Sequence, residues 1–382
     1  MERASWEKRL AVRLFDASSP LWAWAIRQKT GTPLPEPRRI TVLAFWGIGD
    51  AVLLTPLLRA LRRRYPGTWI ELIGKSFLRD LFVHDLCVNE ITVYAPPWVA
   101  FKRKYRFWSP KYVELILWLA RRRGAENDWV VTTRGDIREH LMAALMGGRR
   151  RFGYDNGGGA CLLTDTFPYL APKERQRHYA EYSSEVAGLM GCPEDGRGPR
   201  LMILKDERQK ALDFLRRSGW HGERPLVGVH VGAAAPIRRW PVERFQSVLD
   251  GTRQKIGWLV ILCDPESSWN RLELPGGLGG SKFSGSLREV LALLSHLDLL
   301  LCNDGGIMHT AAALGVRVVA IFGPTNPVWF GPYGEGHRVV FNENMPCRPC
   351  RDMCRFSNPV CMEAVTVEQV RTAIENLVVS HP

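Results

Sequence analysis

The sequence predicts an α/β protein built from two doubly wound domains, each with a parallel sheet covered by helices. The chain has 382 residues, which is more than one hydrophobic core usually holds, so two domains are expected. Short β-rich apolar runs alternate with helical patterns in both halves, the order that produces parallel sheets. In each half one strand also runs through glycines into a helix, at 47–50 and at 304–309.

The first half opens with a basic helical pattern at 6–28 that ends in several tryptophans. Such a pattern is typical of a helix at a membrane surface, and a helix packed on the domain is the alternative. The prolines of 32–37 predict a stiff linker. A helix is then expected at 52–64, and strands are expected at 39–45, 70–74, 91–94 and 129–133.

The second half repeats this order of elements. Strands are expected at 225–231, 259–263, 297–302 and 318–322, and helices at 242–255, 287–294, 308–314 and 367–378. Doubly wound domains bind ligands at the carboxyl ends of their strands, so the site is expected in a cleft between the domains. The predicted division of the chain is a helix and linker (1–38), two domains (39–200 and 201–345), and a cysteine-rich loop with a final helix (346–382).

Positive charge is concentrated in the first half. The formal net charge is +13; residues 1–200 carry +11 (32 Lys and Arg, 21 Asp and Glu) and residues 201–382 carry +2 (20 and 18). A basic field of this kind attracts nucleic acid, anionic lipid or a phosphorylated substrate. Its densest parts are 102–108, where cations alternate with aromatic rings, and the arginine triplets at 121–123 and 149–151.

Composition and segment lengths exclude several classes of protein. A chain with 46% hydrophobic and 24% charged residues is not a mostly disordered one. No apolar run reaches the roughly 18 residues of a membrane-spanning helix, and no secretory signal is recognisable, so a cytosolic protein is expected. The usual nucleic-acid-binding motifs are missing, so nucleic acid is not an expected partner.

Four of the nine cysteines form a cluster with the spacing C-x2-C-x3-C-x6-C: Cys347, Cys350, Cys354 and Cys361. This spacing permits a structural metal or an iron–sulfur site. Four thiols packed in a proline-rich loop are an equal alternative, and a reducing cytosol disfavours disulfides. A role in the chemistry is not expected, because the cluster is far along the chain from the motifs below.

The first such motif is Gly47-Ile48-Gly49-Asp50, which ends a strand and opens a helix. Glycines permit a tight turn and the close approach of another molecule. Asp50 begins the helix, where the helix dipole favours a carboxylate. On the residues alone, helix capping is the simpler role for Asp50.

The second motif, Asn303-Asp304-Gly305-Gly306-Ile307-Met308-His309, has the same geometry in the second half. Its glycines and helix start form an anion site suited to a diphosphate. Asp304 repels a phosphate, so a hydroxyl or a backbone N–H is its expected partner. His309 lies one turn into the helix and is placed to donate to a ligand, although a buried structural histidine is the alternative.

A third segment, 231–241, follows a strand with small residues and then two arginines, Arg238 and Arg239. Either guanidinium is suited to neutralise a leaving diphosphate, and a solvated basic turn is the weaker alternative. Glu266 follows the next strand, where a carboxylate accepts ribose hydroxyls. An ordinary surface carboxylate is the alternative for Glu266.

Taken together and in this order, these motifs resemble the family 9 glycosyltransferases, the heptosyltransferase family of bacterial lipopolysaccharide assembly. The resemblance covers most of 39–378. Besides the motifs above, its carriers are Thr55-Pro56-Leu57-Leu58-Arg59-Ala60-Leu61, Arg151-Phe152-Gly153-Tyr154, Arg238-Arg239-Trp240-Pro241, Phe322-Gly323-Pro324-Thr325-Asn326-Pro327 and Gly331-Pro332-Tyr333-Gly334.

The resemblance implies a GT-B fold, with two Rossmann-like domains facing a central cleft. The first domain would bind the acceptor and the second a nucleotide-sugar, ADP-heptose in known members. Asp50 matches the proposed catalytic base of the family, which reverses the preference for a cap. The positions that match donor-binding ones are Arg238, Glu266, Asp304, Gly305, Gly306 and His309, with Arg239 as a possible second cation. Departures include Trp46-Gly47-Ile48 before the Gly-Asp pair, and Ala233 and Ala234 where some members carry hydroxyls.

The expected reaction is an inverting, metal-independent sugar transfer in which Asp50 takes the proton of the acceptor hydroxyl. No carboxylate cluster is spaced for magnesium, so neither a metal nor a cofactor other than the nucleotide-sugar is expected. The basic first half predicts a phosphorylated glycolipid acceptor and peripheral association with an anionic inner membrane. The segment Arg134–Arg138, after the fourth strand, supplies candidate acceptor contacts in Arg134, Asp136 and Arg138. A nucleotide-sugar epimerase or hydrolase of related fold is the alternative function.

Overall fold

The computed structural model describes most of the chain: residues 36–99, 110–123, 128–154, 158–167, 177–193, 196–263, 271–350, 354, 356 and 358–379. Three features predicted above lie outside these residues, namely the helical pattern at 6–28, the basic–aromatic run at 102–108 and Glu266. Most of the proline-rich linker also lies outside them.

Contacts divide the chain into two units. The first comprises Met1–Gly47, Leu54–Arg175 and Glu181–Gly196, and the second comprises Ile48–Leu53, Gln176–Ala180 and Arg197–Pro382. The segment Ile48–Leu53, which carries Asp50, therefore groups with the second unit although the chain on both sides of it belongs to the first.

The first unit is built on a sheet of six parallel strands. The strands are β1 (Arg39–Ala44), β2 (Trp69–Gly74), β3 (Glu90–Val93), β4 (Trp129–Thr132), β5 (Arg150–Tyr154) and β6 (Asp165–Phe167). Their spatial order is β3-β2-β1-β4-β5-β6, so the order reverses between β1 and β4. The helices in this half of the chain are α1 (Ile48–Val52), α2 (Thr55–Arg64), α3 (Phe77–Phe82), α4 (Pro110–Arg122), α5 (Ile137–Leu145) and α6 (Tyr179–Leu189).

The second unit has the same strand connectivity. Its strands are β7 (Leu226–His230), β8 (Trp258–Leu262), β9 (Gly280–Phe283), β10 (Leu299–Asn303), β11 (Arg317–Ile321) and β12 (Arg338–Val340). Their order is β12-β11-β10-β7-β8-β9, which reverses between β7 and β10. The helices are α7 (Lys205–Arg217), α8 (Val242–Thr252), α9 (Leu287–Leu294), α10 (Gly306–Ala313), α11 (Pro327–Phe330), α12 (Val360–Glu363) and α13 (Val367–Val379).

The central strands form because their side chains are apolar on both faces of a sheet that helices cover. In β1 every residue after Arg39 is buried, and β8 and β10 are buried throughout. The eight predicted strands are present, with ends shifted by one or two residues. The four strands without a prediction, β5, β6, β9 and β12, have three to five residues each and carry polar side chains.

The helix predicted at 52–64 is present but starts three residues later, as α2 (Thr55–Arg64), and Val52 instead ends the separate helix α1. Pro56 lies in the first two positions of α2. Proline has no N–H to donate to the preceding turn and its ring clashes there, so a helix starts near it and does not run through it. The break separates the segment that carries Asp50 from the long helix α2.

The arginine triplets contribute less surface charge than the sequence predicted. Arg151 is 4% exposed and donates to the Leu162 and Gly148 carbonyls, and Arg150 pairs with Asp165. Arg122 pairs with the fully buried Glu71. Each of these guanidinium groups forms hydrogen bonds or ion pairs within the fold, because a buried carboxylate or carbonyl needs a donor.

The final helix, α13, contributes Val370, Ile374 and Leu377 to the core of the second unit. Among the described residues, none of the helices has both the length and the apolar character needed to cross a bilayer.

Candidate functional site

The ends of β7 and β10 are held together in the second unit by Asn303, the last residue of β10. Its amide nitrogen Nδ2 donates to the Val231 carbonyl over 2.8 Å, and its Oδ1 accepts from the Trp240 N–H over 3.1 Å. Trp240 is itself 1% exposed. Asn303 thus fixes the loop after β7 at the point where the strand order reverses, which is where doubly wound sheets bind ligands.

Arg238 and Asp304 meet at this point. Arg238 Nη1 lies 3.2 Å from Asp304 Oδ2, and Thr325 Oγ1 donates to the same oxygen over 2.5 Å. The Asp304 side chain is 3% exposed and that of Arg238 is 26% exposed. A guanidinium has five N–H groups, so a bond to Asp304 is compatible with a second bond to a ligand anion. Asp304 therefore holds the Arg238 guanidinium at the ends of the strands. Thr325 supplies the hydroxyl partner that was expected for Asp304.

Arg239 has a different role from Arg238. Its Nε donates to the Ala233 carbonyl over 2.8 Å, which ties together the two ends of the loop after β7. Of the two adjacent arginines, Arg238 therefore pairs with Asp304, and Arg239 stabilises its own loop.

Helix α10 begins directly after Asp304. Gly305 is its N-cap and Gly306 its first residue. The first N–H groups of a helix have no partner within the helix and carry the positive end of its dipole, so they favour an anion. His309 lies one turn further and is 7% exposed.

The segment Ile48–Leu53 packs on α10 through glycines. A Cβ on Gly49 would lie 2.4 Å from His309 Cδ2, and a Cβ on Gly306 would lie 2.8 Å from Ile48 Cβ. Both positions therefore require glycine for this approach. Asp50 follows Gly49 directly and is half-buried, so the predicted base is on a segment that contacts the helix with the predicted anion site.

The structure thus brings together Arg238, Asp304, Gly305, Gly306 and His309, together with the segment of Asp50. Asn303 and Thr325 were not among the predicted site residues. Both stand inside motifs that carried the family resemblance, which was the only sequence signal available for them.

In the first unit, side chains also gather where the strand order reverses. Trp46 follows β1 and Arg134 follows β4, and the guanidinium carbon of Arg134 lies 5.5 Å from the Trp46 ring centroid. Asp136 caps α5 by accepting from the Arg138 N–H over 2.9 Å and also pairs with the Arg138 side chain. Burial acts to raise the pKa of Asp136, but the bonds and charge of Arg138 outweigh it and lower that pKa. Asp136 and Arg138 therefore neutralise each other, whereas Arg134 lies over the Trp46 ring.

The cysteine cluster consists of free thiols. Burial raises the pKa of Cys361 to about 11, with further increments from Cys350 and Cys347, so these three side chains lie near one another. Within the described ranges, no three His, Cys, Asp or Glu side chains are grouped as ligands of a metal ion.

The family model described as glycosyltransferase family 9 (heptosyltransferase) matches residues 119–360. Lipopolysaccharide heptosyltransferase 2 of Salmonella typhimurium is 25% identical over 328 residues, which are 79% of this chain and 87% of the relative.

Solved structures show the same fold. A family 9 glycosyltransferase from Veillonella parvula aligns with a TM-score of 0.74 and 23% identity, over 92% of this chain and 100% of the other. The E. coli heptosyltransferase WaaC with ADP-2-deoxy-2-fluoro heptose aligns with a TM-score of 0.65 and 16% identity, over 88% of this chain and 99% of the other. The iron-containing dodecameric glycosyltransferase TibC of E. coli aligns with a TM-score of 0.54 and 17% identity, over 93% of this chain and 81% of the other.

The two parallel sheets with their shared strand order and the likeness to these structures identify a GT-B fold, as the sequence predicted. With the family match covering well over half of the chain, the protein is a glycosyltransferase and belongs to glycosyltransferase family 9, the heptosyltransferases.

Proposed function

We propose that the protein transfers a heptose from ADP-heptose to a phosphorylated lipopolysaccharide-core acceptor, with inversion and without a metal ion. The observation that carries this proposal is the pair Arg238–Asp304 beside the start of α10, with the segment of Asp50 packed on the same helix. The Salmonella relative is named for lipopolysaccharide heptose transfer and the WaaC structure holds a fluorinated ADP-heptose, which supports this donor and this acceptor class.

The donor diphosphate is proposed to lie between Arg238 and the first N–H groups of α10. A leaving diphosphate gains negative charge as the sugar–oxygen bond breaks. Preorganised N–H donors and a guanidinium stabilise that charge without rearrangement, which is the largest catalytic effect in many enzymes. Asp304 serves as a positioning residue, since it holds the Arg238 guanidinium in place.

Asp50 is proposed as the catalytic base. In a single inverting displacement the acceptor hydroxyl attacks the anomeric carbon, the bond to the diphosphate breaks, and the hydroxyl proton passes to a carboxylate. A carboxylate is a weak base, so the proton transfer suits a late stage at which the attacking oxygen is already positively charged. If Asp50 instead only caps α1, replacing it should leave the rate of sugar transfer unchanged.

The proposal is tested by incubating the protein with ADP-heptose, with and without lipopolysaccharide core from a heptose-deficient bacterium. The expected result is ADP release that depends on the acceptor, together with an acceptor product heavier by one heptose. Rapid release of ADP or isomerisation of the sugar from the donor alone would instead support the hydrolase or epimerase function. No turnover with ADP-heptose under either condition would contradict the proposed donor.

Transfer is expected to survive removal of divalent metal ions. Arg238 and the α10 N–H groups carry the charges that a metal ion would otherwise supply to the diphosphate. The rate in excess chelator should therefore equal the rate in added magnesium to within about twofold. A rate that is lost in chelator and restored by one particular metal would overturn metal independence.

Peripheral membrane association is proposed through one face of α4. Val113, Ile116 and Leu117 on this helix are 59%, 65% and 53% exposed, and their spacing places them on one side of it. The exposed cation Arg121 follows Leu117 by one turn and so lies on the same side of the helix. An exposed apolar stripe with a cation at its end fits a bilayer with anionic headgroups, since apolar side chains enter the acyl region and cations stay at the headgroups.

Binding to vesicles tests this surface. The variant I116S/L117S is expected to bind vesicles of phosphatidylglycerol and phosphatidylethanolamine about thirtyfold more weakly than the wild type, because each of the two apolar side chains contributes on the order of 1 kcal/mol. Cosedimentation measures the binding, and L86S, which alters an apolar side chain outside α4 that is 82% exposed, is the control. Equal binding of the double variant and the wild type would contradict a role for α4.

A further inference from the structure

The loop after β11 supplies one of the two groups that hold Asp304. Thr325 Oγ1, in this loop, donates to Asp304 Oδ2 over 2.5 Å. The same oxygen of Asp304 pairs with Arg238, the cation proposed for the donor diphosphate. A displacement of the loop would therefore alter the way in which the Arg238 guanidinium is held.

The short helix α12 packs directly on the backbone of this loop. A Cβ on Gly323 would lie 2.7 Å from Met362 Cγ and 3.1 Å from Cys361 Sγ. Met362 is 1% exposed and Cys361 is 4% exposed, and a close-packed interior leaves them no space into which to withdraw. Position 323 therefore requires glycine for this approach, and the two side chains of α12 fix the distance between the helix and the loop.

The segment that begins with the cysteines contacts the same loop a second time. The Cys350 N–H donates to the Pro324 carbonyl over 3.1 Å. Residues 323 and 324, which directly precede Thr325, are thus both in contact with this segment.

The chain that follows α12 is also tied to the loop after β7, which carries Arg238. Trp240 Nε1 donates to the Val365 carbonyl over 3.1 Å, and Arg244 Nη1 donates to the same oxygen over 2.8 Å. Val365 comes two residues after the end of α12. One segment of the second unit therefore contacts both the loop of Arg238 and the loop of Thr325.

We propose that Met362 is a positioning residue for donor binding. Its side chain holds Gly323, and with it the loop after β11, at the place from which Thr325 bonds to Asp304. This inference rests on the proposed function, because it takes the donor diphosphate to lie at Arg238. Met362 itself does not touch the donor and takes no part in the proton transfer.

Core packing alone is the ordinary role for such a side chain, since Met362 and Cys361 belong to the hydrophobic core of the second unit. A residue with that role alone lowers stability when it is shortened and leaves the affinity of the folded protein for its substrates unchanged. A positioning residue also changes the KM for ADP-heptose, so the two roles predict different results.

The variants M362A and G323A test the inference, because the first removes the supporting side chain and the second adds a methyl group that displaces it. Each is expected to raise the KM for ADP-heptose about tenfold, since a small misplacement of a positioned group costs at least this much. The acceptor KM should not change. M362L, which conserves the volume, should keep the wild-type donor KM, and G323A/M362A should have a lower donor KM than G323A, because the shortened side chain makes room for the methyl group.

The matched controls are M142A and G276A. Met142 is also 1% exposed but belongs to the core of the first unit, and a Cβ on Gly276 would meet no atom within 4 Å. M142A should lower the melting temperature, as M362A does, because both leave a cavity. Neither control should change the KM for ADP-heptose.

Isothermal titration with ADP measures the donor site without turnover and separates this inference from the proposed function. A wild-type protein that binds no ADP would contradict the proposed donor and the inference together. A wild-type protein that binds ADP, with the same affinity in M362A and G323A, would overturn the inference alone. An equal loss of ADP affinity in M142A, or a G323A/M362A variant no better than G323A, would also overturn it.

Discussion

Replacing Asp50 by Asn is expected to lower kcat for sugar transfer by about 10²–10⁴-fold, the usual contribution of a general base. Asparagine keeps the size of the side chain and its ability to cap a helix but does not accept a proton. The packing of Gly49 on His309 is unaffected, so the KM for ADP-heptose should change little. Initial rates of ADP release with saturating acceptor measure kcat, and isothermal titration with ADP measures donor-site integrity.

D80N is the matched control for this experiment. Asp80 lies in the first turn of the short helix α3, as Asp50 does in α1, and it has no assigned role in catalysis. D80N should transfer sugar at the wild-type rate. If D50N also retains the wild-type kcat, Asp50 is a cap and the proposed mechanism fails.

The variant R238M is expected to raise the KM for ADP-heptose at least tenfold and to lower stability by about 1–3 kcal/mol. The substitution removes the cation proposed for the diphosphate and the ion pair of Asp304, whose hydrogen bond from Thr325 stays. Removing one partner of a buried pair costs more than removing both, because the remaining charge stays buried. This expected loss of stability is smaller than that for a completely buried ion pair, because the Arg238 side chain is 26% exposed.

Two further variants separate binding from stability. R238M/D304N should recover much of the lost stability without recovering donor affinity, and R238K should retain most of the affinity because it keeps the charge. R288M is the control: Arg288 in α9 and Glu207 in α7 form another part-buried ion pair, at 2.6 Å. R288M should lower the melting temperature with an unchanged donor KM, and a wild-type donor KM in R238M would contradict a role for Arg238.

Much of the fold was predictable because its central strands leave a strong local signal. The strands β1, β7, β8 and β10 are apolar on both faces, and that pattern is visible without knowledge of neighbouring elements. Edge strands such as β9 and β12 are short and partly exposed, so only pairing with a neighbour makes them strands. The break before α2 was also visible in the sequence, as Pro56, and was missed because the apolar spacing of a helix continues across it.

Less of the candidate site was predictable. Asp304 and Arg238 were found through their motifs, but their contact joins residues 66 positions apart and depends on which strands are neighbours. The arginine triplets were misjudged for the same reason, since burial of Arg151 and pairing of Arg122 depend on side chains elsewhere in the chain.

The assignment of Ile48–Leu53 and Gln176–Ala180 to the second unit has a consequence for dissecting the protein. A gene cut between the two large segments would not yield two autonomous halves. A fragment starting at residue 197 would lack the segment Ile48–Leu53, which contacts His309. A fragment ending at residue 196 would contain that segment without the helix α10 on which it packs. Such a cut would put Asp50 on one fragment and Arg238 and Asp304 on the other, so the residues proposed for catalysis and for donor binding would be separated.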